Sequence, residues 1–350
     1  MITDTGDHEL RQMTMRLMRG ENLARREAAD FLNALLSPAA TDAQLAAALV
    51  VLAAKGETVE ELAGMAEAMR DRAIPLHSRH TRFIDTAGTG SSVAKTFNVS
   101  TAAAFVIAGA GVTVAKHGSR AATSACGSAD VLEALGVKTA CAPDTVERCL
   151  NEHDICFMFA PLFHPATARV AHVRRQLGVR TAFNLLGPLT NPARAPFQIL
   201  GVWHRSLVER VASVLSLLGI DKAWVVHGAD GLDEITITNK TFVAACSANR
   251  SVKTFTTSPQ DFGLEAQSLN GFIVSGPKEN AQLIRLIFQG KKNRAIAAAR
   301  DLVIINAAAA LHVAGFTDDL CEAAMFARES IDSGRAASKL DALIRETNRE

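Results

Sequence analysis

Apolar residues recur at helical spacing from Leu10 to about Ala73, and the polar positions between them carry start and stop signals. Ser37-Pro38 ends one predicted helix; Thr41 with Gln44 and Thr58 with Glu61 have capping-box spacing, and Gly56 lies between them as a stop. Leu45, Leu49 and Leu52 share one helix face. A helical block this small is stable only when packed on something else. Pro75 breaks the pattern, and from Phe83 short apolar runs take over.

Two consecutive strand, loop and helix units follow. The first runs from the strand Phe83 to Thr86 through Gly88-Thr89-Gly90-Ser91-Ser92 to Asn98-Val99-Ser100-Thr101, which opens an apolar helix from Ala102 to Ala110. The second runs from the strand Val112 to Ala115 through a loop, Lys116 to Ser124, to a helix from Ser128 through Leu135 closed by Gly136. Further on, Ile155 to Phe159 has the length of a buried parallel strand. It leads into Ala160 to Pro165 and a helix whose Ala166, Val170, Val173 and Leu177 share a face before Gly178. Phe183 to Pro192 reads as a turn-rich connection because it holds Gly187-Pro188 and Asn191-Pro192. Phe197 to Trp203 and Ala223 to Val226 read as strands around a helix from Ser206 to Leu218, and Ile235 with Ile237 as a further strand after an acidic turn, Ala229 to Glu234. From about Pro277 the pattern is again helical. Helices first, then strands alternating with helices, predict an α/β fold: a small all-helical domain plus a large α/β domain with a mostly parallel central sheet flanked by helices. Ligands in such sheets sit at the carboxyl ends of the strands, in a cleft between the two domains here.

Composition narrows the class. The chain has 350 residues, 48% of them hydrophobic, and a formal net charge of +1, which argues against a general polyanion-binding surface. Met1 to Leu10 lacks the basic and apolar regions of a signal peptide, and the longest apolar run, Leu45 to Ala54, is too short to span a bilayer. Cys126, Cys141, Cys149, Cys156, Cys246 and Cys321 form no Cys-x-x-Cys pair, which fits reduced thiols better than a disulfide frame or zinc site. A soluble, cytoplasmic protein without nucleic-acid or membrane partners is expected.

The chemistry sits in the loops. Gly88-Thr89-Gly90 alone is also the pattern of an ordinary tight turn; Val93 stands where a dinucleotide fingerprint has its third glycine, and no Gly-Lys-Ser/Thr follows. Asn98, Ser100 and Thr101 put more hydrogen-bonding side chains at one helix start than a simple cap needs. Lys116-His117-Gly118-Ser119-Arg120 places two cations and an imidazole directly after an apolar strand, with Thr123, Ser124 and Ser128 following as hydroxyl donors. Glycines that let the backbone approach an anion, and helix starts that attract it, make both loops phosphate cradles and point to a ligand with two phosphate groups. Asp233-Glu234 is either an exposed turn or, facing the same cleft, a pair of oxygen donors suited to Mg²⁺. Arg174 and Arg175 are either solvated or, for Arg174 at the border of a buried face, a bidentate clamp on a carboxylate substrate.

Taken together, these residues resemble the anthranilate phosphoribosyltransferase family, within the nucleoside phosphorylase-like phosphoribosyltransferases. The similarity covers Lys55-Gly56-Glu57-Thr58, Asn98 to Thr101, Lys116-His117-Gly118, Gly127 to Gly136, His164-Pro165, Arg180-Thr181, Phe183 to Pro192, and His227-Gly228 with Gly231 to Glu234. The resemblance implies transfer of a phosphoribosyl group from phosphoribosyl pyrophosphate to the amine of anthranilate, a step of tryptophan biosynthesis. It assigns the diphosphate to Gly88, Ser91, Ser92, Thr96, Asn98, Val99, Ser100 and Thr101. The rest of the donor falls to Lys116, His117, Gly118, Ser119, Arg120, Ala121, Ala122, Thr123, Ser124 and Ser128. Ser100, Asp233 and Glu234 match the magnesium positions, for two ions per subunit, and Gly88, Ser119, His164 and Arg174 match the anthranilate site. Lys116 and His117 are the catalytic candidates, Lys116 for developing negative charge and His117 either to accept the amine proton or to shape the pocket. The resemblance also implies a helical domain of residues 1–75 completed by 170–192, an α/β domain of 76–169 and 193–350, and a homodimer through the helical domain.

The chain departs from the family pattern at three places: Ser91 and Ser92 stand where the second glycine and the aspartate of Gly-Thr-Gly-Gly-Asp are common, Ser119 stands for an asparagine, and Ala125 and Cys126 for a lysine and a serine. Two alternatives compete. A pyrimidine-nucleoside phosphorylase-like enzyme needs neither paired metal acids nor a carboxylate clamp, and a catalytically lapsed nucleic-acid-binding paralogue predicts a basic surface that a net charge of +1 does not supply.

Overall fold

The computed structural model describes residues 5–90, 96–121, 126–269, 276–290 and 296–349. The amino-terminal block folds as α1 (Thr5–Met18), α2 (Arg25–Leu35), α3 (Asp42–Lys55) and α4 (Val59–Asp71). Both predicted capping boxes form. The Thr41 hydroxyl accepts the Gln44 amide while Gln44 accepts that of Thr41, and Thr58 and Glu61 exchange the same pair of bonds. Glu61 is also fully buried, taking the Leu23 amide and the Lys55 ammonium, each at 2.9 Å, so the cap of α4 doubles as the polar centre of the block.

The rest of the chain builds one seven-stranded sheet in the order β3-β2-β1-β4-β5-β6-β7. The strands β1 (Phe83–Gly88), β2 (Thr113–Gly118), β3 (Ile155–Phe159), β4 (Phe197–Gly201) and β5 (Lys222–Gly228) are parallel, and β6 (Thr241–Cys246) and β7 (Lys253–Thr257) antiparallel. Their connections carry α5 (Val99–Ala110), α6 (Ser128–Leu135), α7 (Pro143–His153), α8 (Ala160–Phe163), α9 (Ala168–Leu177), α10 (Phe183–Leu189) and α11 (Leu207–Leu217). The chain ends in α12 (Pro277–Phe288), α13 (Ala297–Val313), α14 (Leu320–Asp332) and α15 (Arg335–Thr347).

Successive strand residues point to opposite faces, so the sheet serves two cores. Ile84, Val114, Ile199, Trp224 and Val226 pack with α5 and α13 to α15, whereas Leu200, Ala223 and Val225 pack with α10, α11 and the amino-terminal helices. Chain order reverses direction between β1 and β4, which makes their carboxyl ends the switch point where an α/β sheet opens a crevice.

Four expectations change. Lys116 and His117 are not loop residues: β2 runs on through Gly118, and both side chains are buried. Phe183 to Leu189 is a helix despite Gly187-Pro188, because Phe183, Leu185, Leu186 and Leu189 are all core residues and Pro188 falls in its last turn. Ile235 and Ile237 are fully buried but form no strand; Asn306 takes the Ile235 amide and Thr241 that of Thr236, so side chains do the work of a ladder. β6 and β7 extend the sheet where no strand was predicted.

Candidate active site

A cavity of about 600 Å³ opens at the carboxyl ends of β1 and β2, closed on one side by the Asp233-Glu234 turn and on the other by α9 and α10. Glycines bring these parts together. Gly88 and Gly201 are register partners at the ends of β1 and β4, and a Cβ on Gly201 would stand 1.6 Å from the Asp233 carbonyl oxygen. Any side chain there would push the acidic turn off the floor.

Ionisable groups crowd that floor. Lys116 is 4% exposed; its ammonium donates to the Thr86 carbonyl, to Thr86 Oγ1 at 3.4 Å and to Ser100 Oγ at 3.5 Å. Burial lowers its pKa, while Asp85 and Glu234 act to raise it. Burial first, and then the neighbouring Asp233, push the Glu234 carboxyl up to about 8 against the pull of Lys116.

The start of α5 is less open than its sequence implies. The Asn98 amide donates to Asn280 Oδ1 at 2.9 Å, the Val99 amide to the Phe97 carbonyl at 2.8 Å and the Ser100 amide to Glu234 Oε1 at 3.3 Å. An anion drawn to the Ser100 amide therefore meets a carboxyl already seated there. Val99 is fully buried in the core and does not line the cavity; Thr96, Asn98, Ser100 and Thr101 do. Thr101 Oγ1 is buried without a hydrogen-bond partner among the described residues.

In the second loop Gly118, Ser119, Arg120, Ala121 and Ser128 line the cavity. Arg120 is not an unanswered cation, because its guanidinium pairs with Asp130 at 3.1 Å and Glu133 at 2.7 Å. Asp130 closes the loop by accepting the amides of Ala121 and Gly127 on one oxygen, at 3.0 and 2.8 Å. The candidates Ser91, Ser92, Ala122, Thr123 and Ser124, with the departure at Ala125, lie outside the described residues.

The opposite wall is nearly free of charge. His117 and His164 face each other with ring centroids 5.1 Å apart. His117 Nδ1 lies 3.2 Å from the Gly187 carbonyl, which can only accept, so that nitrogen carries the hydrogen and Nε2 keeps its lone pair. Burial pushes His117 down to about 3 and His164 to about 4, so both rings are neutral at physiological pH. His117 Nε2 and both His164 nitrogens have no hydrogen-bond partner among the described residues. The arginine pair divides as its helical position predicts: Arg175 is exposed, while Arg174 turns inward, its guanidinium 5.5 Å from the Phe183 ring centre and 3.2 Å from Asn184 Oδ1.

Sequence reasoning missed several lining residues. Met69 on α4, Ala168 and Ala171 on α9, and Phe183 and Asn184 on α10 form the apolar wall, and Asn280 on α12 reaches the start of α5. A polar residue inside an amphipathic helix was the available signal for Asn280, and it is 1% exposed.

Asp233, Glu234 and Ser100 offer only oxygen. Among the described residues no three or more His, Cys, Asp or Glu side chains gather as a closed metal cage. Two carboxylates at the rim of a roomy cavity suit Mg²⁺, which keeps water and phosphate oxygens in most of its shell.

The chain is similar over nearly its whole length to known proteins. Residues 80–337 match the α/β domain of a glycosyl transferase family, and residues 11–73 match the helical bundle domain of a glycosyl transferase family. The anthranilate phosphoribosyltransferase of Moorella thermoacetica is 49% identical over 335 residues, 96% of this chain and 97% of the relative. The crystal structure of that enzyme from Thermus thermophilus superposes with a TM-score of 0.87 at 38% identity, covering 96% of this chain and 99% of the other. The Saccharomyces cerevisiae enzyme in complex with PRPP and Mg gives a TM-score of 0.90 at 29% identity, with 99% of each chain covered. The same yeast enzyme in complex with 4-fluoroanthranilate gives 0.87 at 27% identity, again covering 99% of each.

Proposed function

The chain belongs to the anthranilate phosphoribosyltransferase family of glycosyl transferases, and from that membership we propose that it transfers the phosphoribosyl group of phosphoribosyl pyrophosphate to anthranilate in a Mg²⁺-dependent reaction. The products are N-(5-phosphoribosyl)anthranilate and pyrophosphate. The observation that carries the reading is the division of one cavity into an ionic floor, with Lys116, Ser100, Asp233 and Glu234, and a neutral wall that ends in Arg174. A donor rich in phosphate oxygens suits the first, and a flat ring bearing one carboxylate suits the second.

The amine nitrogen of anthranilate forms a bond to the anomeric carbon with its lone pair, the carbon–oxygen bond breaks, and its electron pair leaves with pyrophosphate. Lys116 Nζ stabilises negative charge as it develops on that leaving oxygen. Asp233, Glu234 and Ser100 would hold Mg²⁺, two ions per subunit in this proposal, and the metal would supply charge withdrawal from the diphosphate oxygens. Gly88, Thr96, Asn98 and Thr101, with Ser91 and Ser92, hold the diphosphate, and the segment from Lys116 to Ser124 with Ser128 holds the rest of the donor. Arg174 pairs with the carboxylate, and its contacts with the Phe183 ring and Asn184 Oδ1 hold the guanidinium at the cavity. His117 Nε2 accepts a hydrogen bond from the amine, but a ring pushed down to about 3 does not retain the proton, which passes to pyrophosphate or water. His117 thus orients the nucleophile. Positioning supplies the rest of the rate, since an arylamine needs no strong base.

Residues 1–75 with 170–192 act as one domain in this reading and the remainder as the other; Val170, Val173, Leu185 and Leu186 pack with the amino-terminal helices, in a core that also takes in Leu200, Val211 and Val225 from the sheet side. A homodimer through the helical block is supported by the exposed Met15 and Met18 on α1 and Val50 on α3. Among the described residues no helix is long and apolar enough to cross a membrane. The test is anthranilate fluorescence followed with purified protein, phosphoribosyl pyrophosphate and Mg²⁺. Loss of signal only in the complete mixture is expected; no loss, or loss without donor or metal, overturns the proposal.

A further inference from the structure

Asp85 on β1 is fully buried, does not line the cavity and takes no part in the chemistry above. It stands next to Thr86, but alternation along the strand turns it toward α10 while Thr86 turns toward Lys116 and α5. Neutral donors meet its carboxylate: the His117 amide reaches Oδ1 at 3.2 Å and Gln198 Nε2 reaches Oδ2 at 3.4 Å, while the nearby Asn191 side chain also favours the charged form. Lys116 adds only an attraction across space, because its own bonds go to Thr86 and Ser100. Burial pushes the Asp85 carboxyl up to about 6.

Each of these groups also holds something else. Gln198 Nε2 donates to the Pro188 carbonyl at 2.7 Å, Asn191 Nδ2 to the Ala115 carbonyl at 2.8 Å, and the His117 ring binds the Gly187 carbonyl at 3.2 Å. β1, β2, β4 and the end of α10 therefore meet at one carboxylate. Apolar packing holds a wall to a floor without the cost of burying a charge, but it does not fix the direction of one against the other as hydrogen bonds do.

We infer that Asp85 is a positioning residue for the acceptor half of the cavity, with Gln198 as its relay: the two fix α10 and the His117 ring against the strands that carry the donor cradle. The inference rests on the proposed transfer reaction, and its consequence falls on one substrate. Freeing the α10 wall disturbs Asn184, Phe183 and His117 and leaves Ser100 and the acidic turn in place; removing the Asp85 charge also takes from Lys116 a neighbour that favours its charged form, an effect read in kcat and not in the KM for anthranilate.

Asp85→Asn keeps the shape but offers one acceptor oxygen for two, so either the His117 amide or Gln198 faces a donor whichever way the amide turns. Gln198→Leu removes the tie to Pro188 and leaves Asp85 bonded to His117. Steady-state kinetics on both variants should show KM for anthranilate raised about ten-fold by Asp85→Asn and less by Gln198→Leu, with KM for the donor within about two-fold of the parent. Equal rises in both constants, or a lowered Tm with neither constant moved, overturn the inference and leave Asp85 a structural group. Should Asp85→Asn not fold, Gln198→Leu decides by the same split. A parent protein without turnover overturns the transfer reaction instead; equilibrium titration of anthranilate then decides, weaker binding by Gln198→Leu supporting the inference and equal or absent binding ending it.

Discussion

The floor of the cavity, where β1, β2 and the Asp233-Glu234 turn meet, is crowded with ionisable groups, whereas the wall of α9 and α10 sets Arg174 among neutral rings and methyl groups. Both are buried, and burial drives each toward its uncharged form: Glu234 is pushed up to about 8, His117 down to about 3 and His164 to about 4. The outcomes differ because of what each half lacks. The floor holds a lysine and two carboxyls that a metal–diphosphate complex would draw into their charged forms, while the wall holds neutral imidazoles whose bare nitrogens and flat faces suit a neutral aromatic amine.

Removing the charge of the floor is expected to have the largest effect. Asp233→Ala together with Glu234→Ala should lower Mg²⁺-dependent turnover by about 10³-fold or more in the fluorescence assay, each lost carboxylate removing a seat for charge stabilisation. Full residual activity would take the metal away from this turn. Lys116→Met should lower kcat by roughly 10²-fold, with KM for anthranilate little changed; a comparable change in that KM would show that floor and wall are not separable.

The wall should respond in binding instead of turnover. Arg174→Ala is expected to raise KM for anthranilate by about 30-fold, a charged hydrogen bond being worth about 2 kcal/mol, and to leave donor affinity by calorimetry unchanged. If anthranilate dependence does not move, Arg174 is no part of the acceptor site.

The smallest effect separates the halves by the sign of their pH dependence. Glu234 has a folded pKa of about 8 against 4.5 in the unfolded chain, so the folded state binds the extra proton between those values and stability falls as pH rises through that window. Asp85, at about 6 against 3.8, adds to the lower part of that slope. His117 and His164, at about 3 and 4 against 6.5, act oppositely: the unfolded chain binds the extra protons, and stability is lost as pH falls below 6.5. Denaturation midpoints measured without divalent cation should show Glu234→Gln flattening the loss between pH 4.5 and about 8 and His164→Asn flattening the loss on acidification below 6.5. A Glu234→Gln protein with the parent's pH profile would contradict the burial assigned to that carboxyl.

Features that depend on a few neighbouring residues were legible in the sequence. The capping boxes at Thr41 and Thr58, the stops at Gly56 and Gly136, the two strand-to-helix units and the motif residues around them are fixed by local hydrogen bonding, glycine geometry and apolar spacing. That Lys116, Asp233 and Arg174 would face one cleft followed from placing strand ends together. What the tertiary structure decided is where each polar group finds its partner. Lys116 and His117 look alike as a basic pair after a strand, yet the strand continues and its alternation sends Lys116 to the floor and His117 to the wall. Ile235 and Ile237 alternate like a strand, but Asn306, from a helix about 70 residues away, takes the backbone amide that a neighbouring strand would have taken. Asp85 and Thr86 are adjacent polar residues in an otherwise apolar strand; only the approach of Gln198 and the end of α10 makes Asp85 a junction. Local pattern fixes caps, stops and the apolar faces of most elements, because those need only spacing and side-chain chemistry. Partners of buried polar groups come from distant segments, so they exist only once the chain has folded.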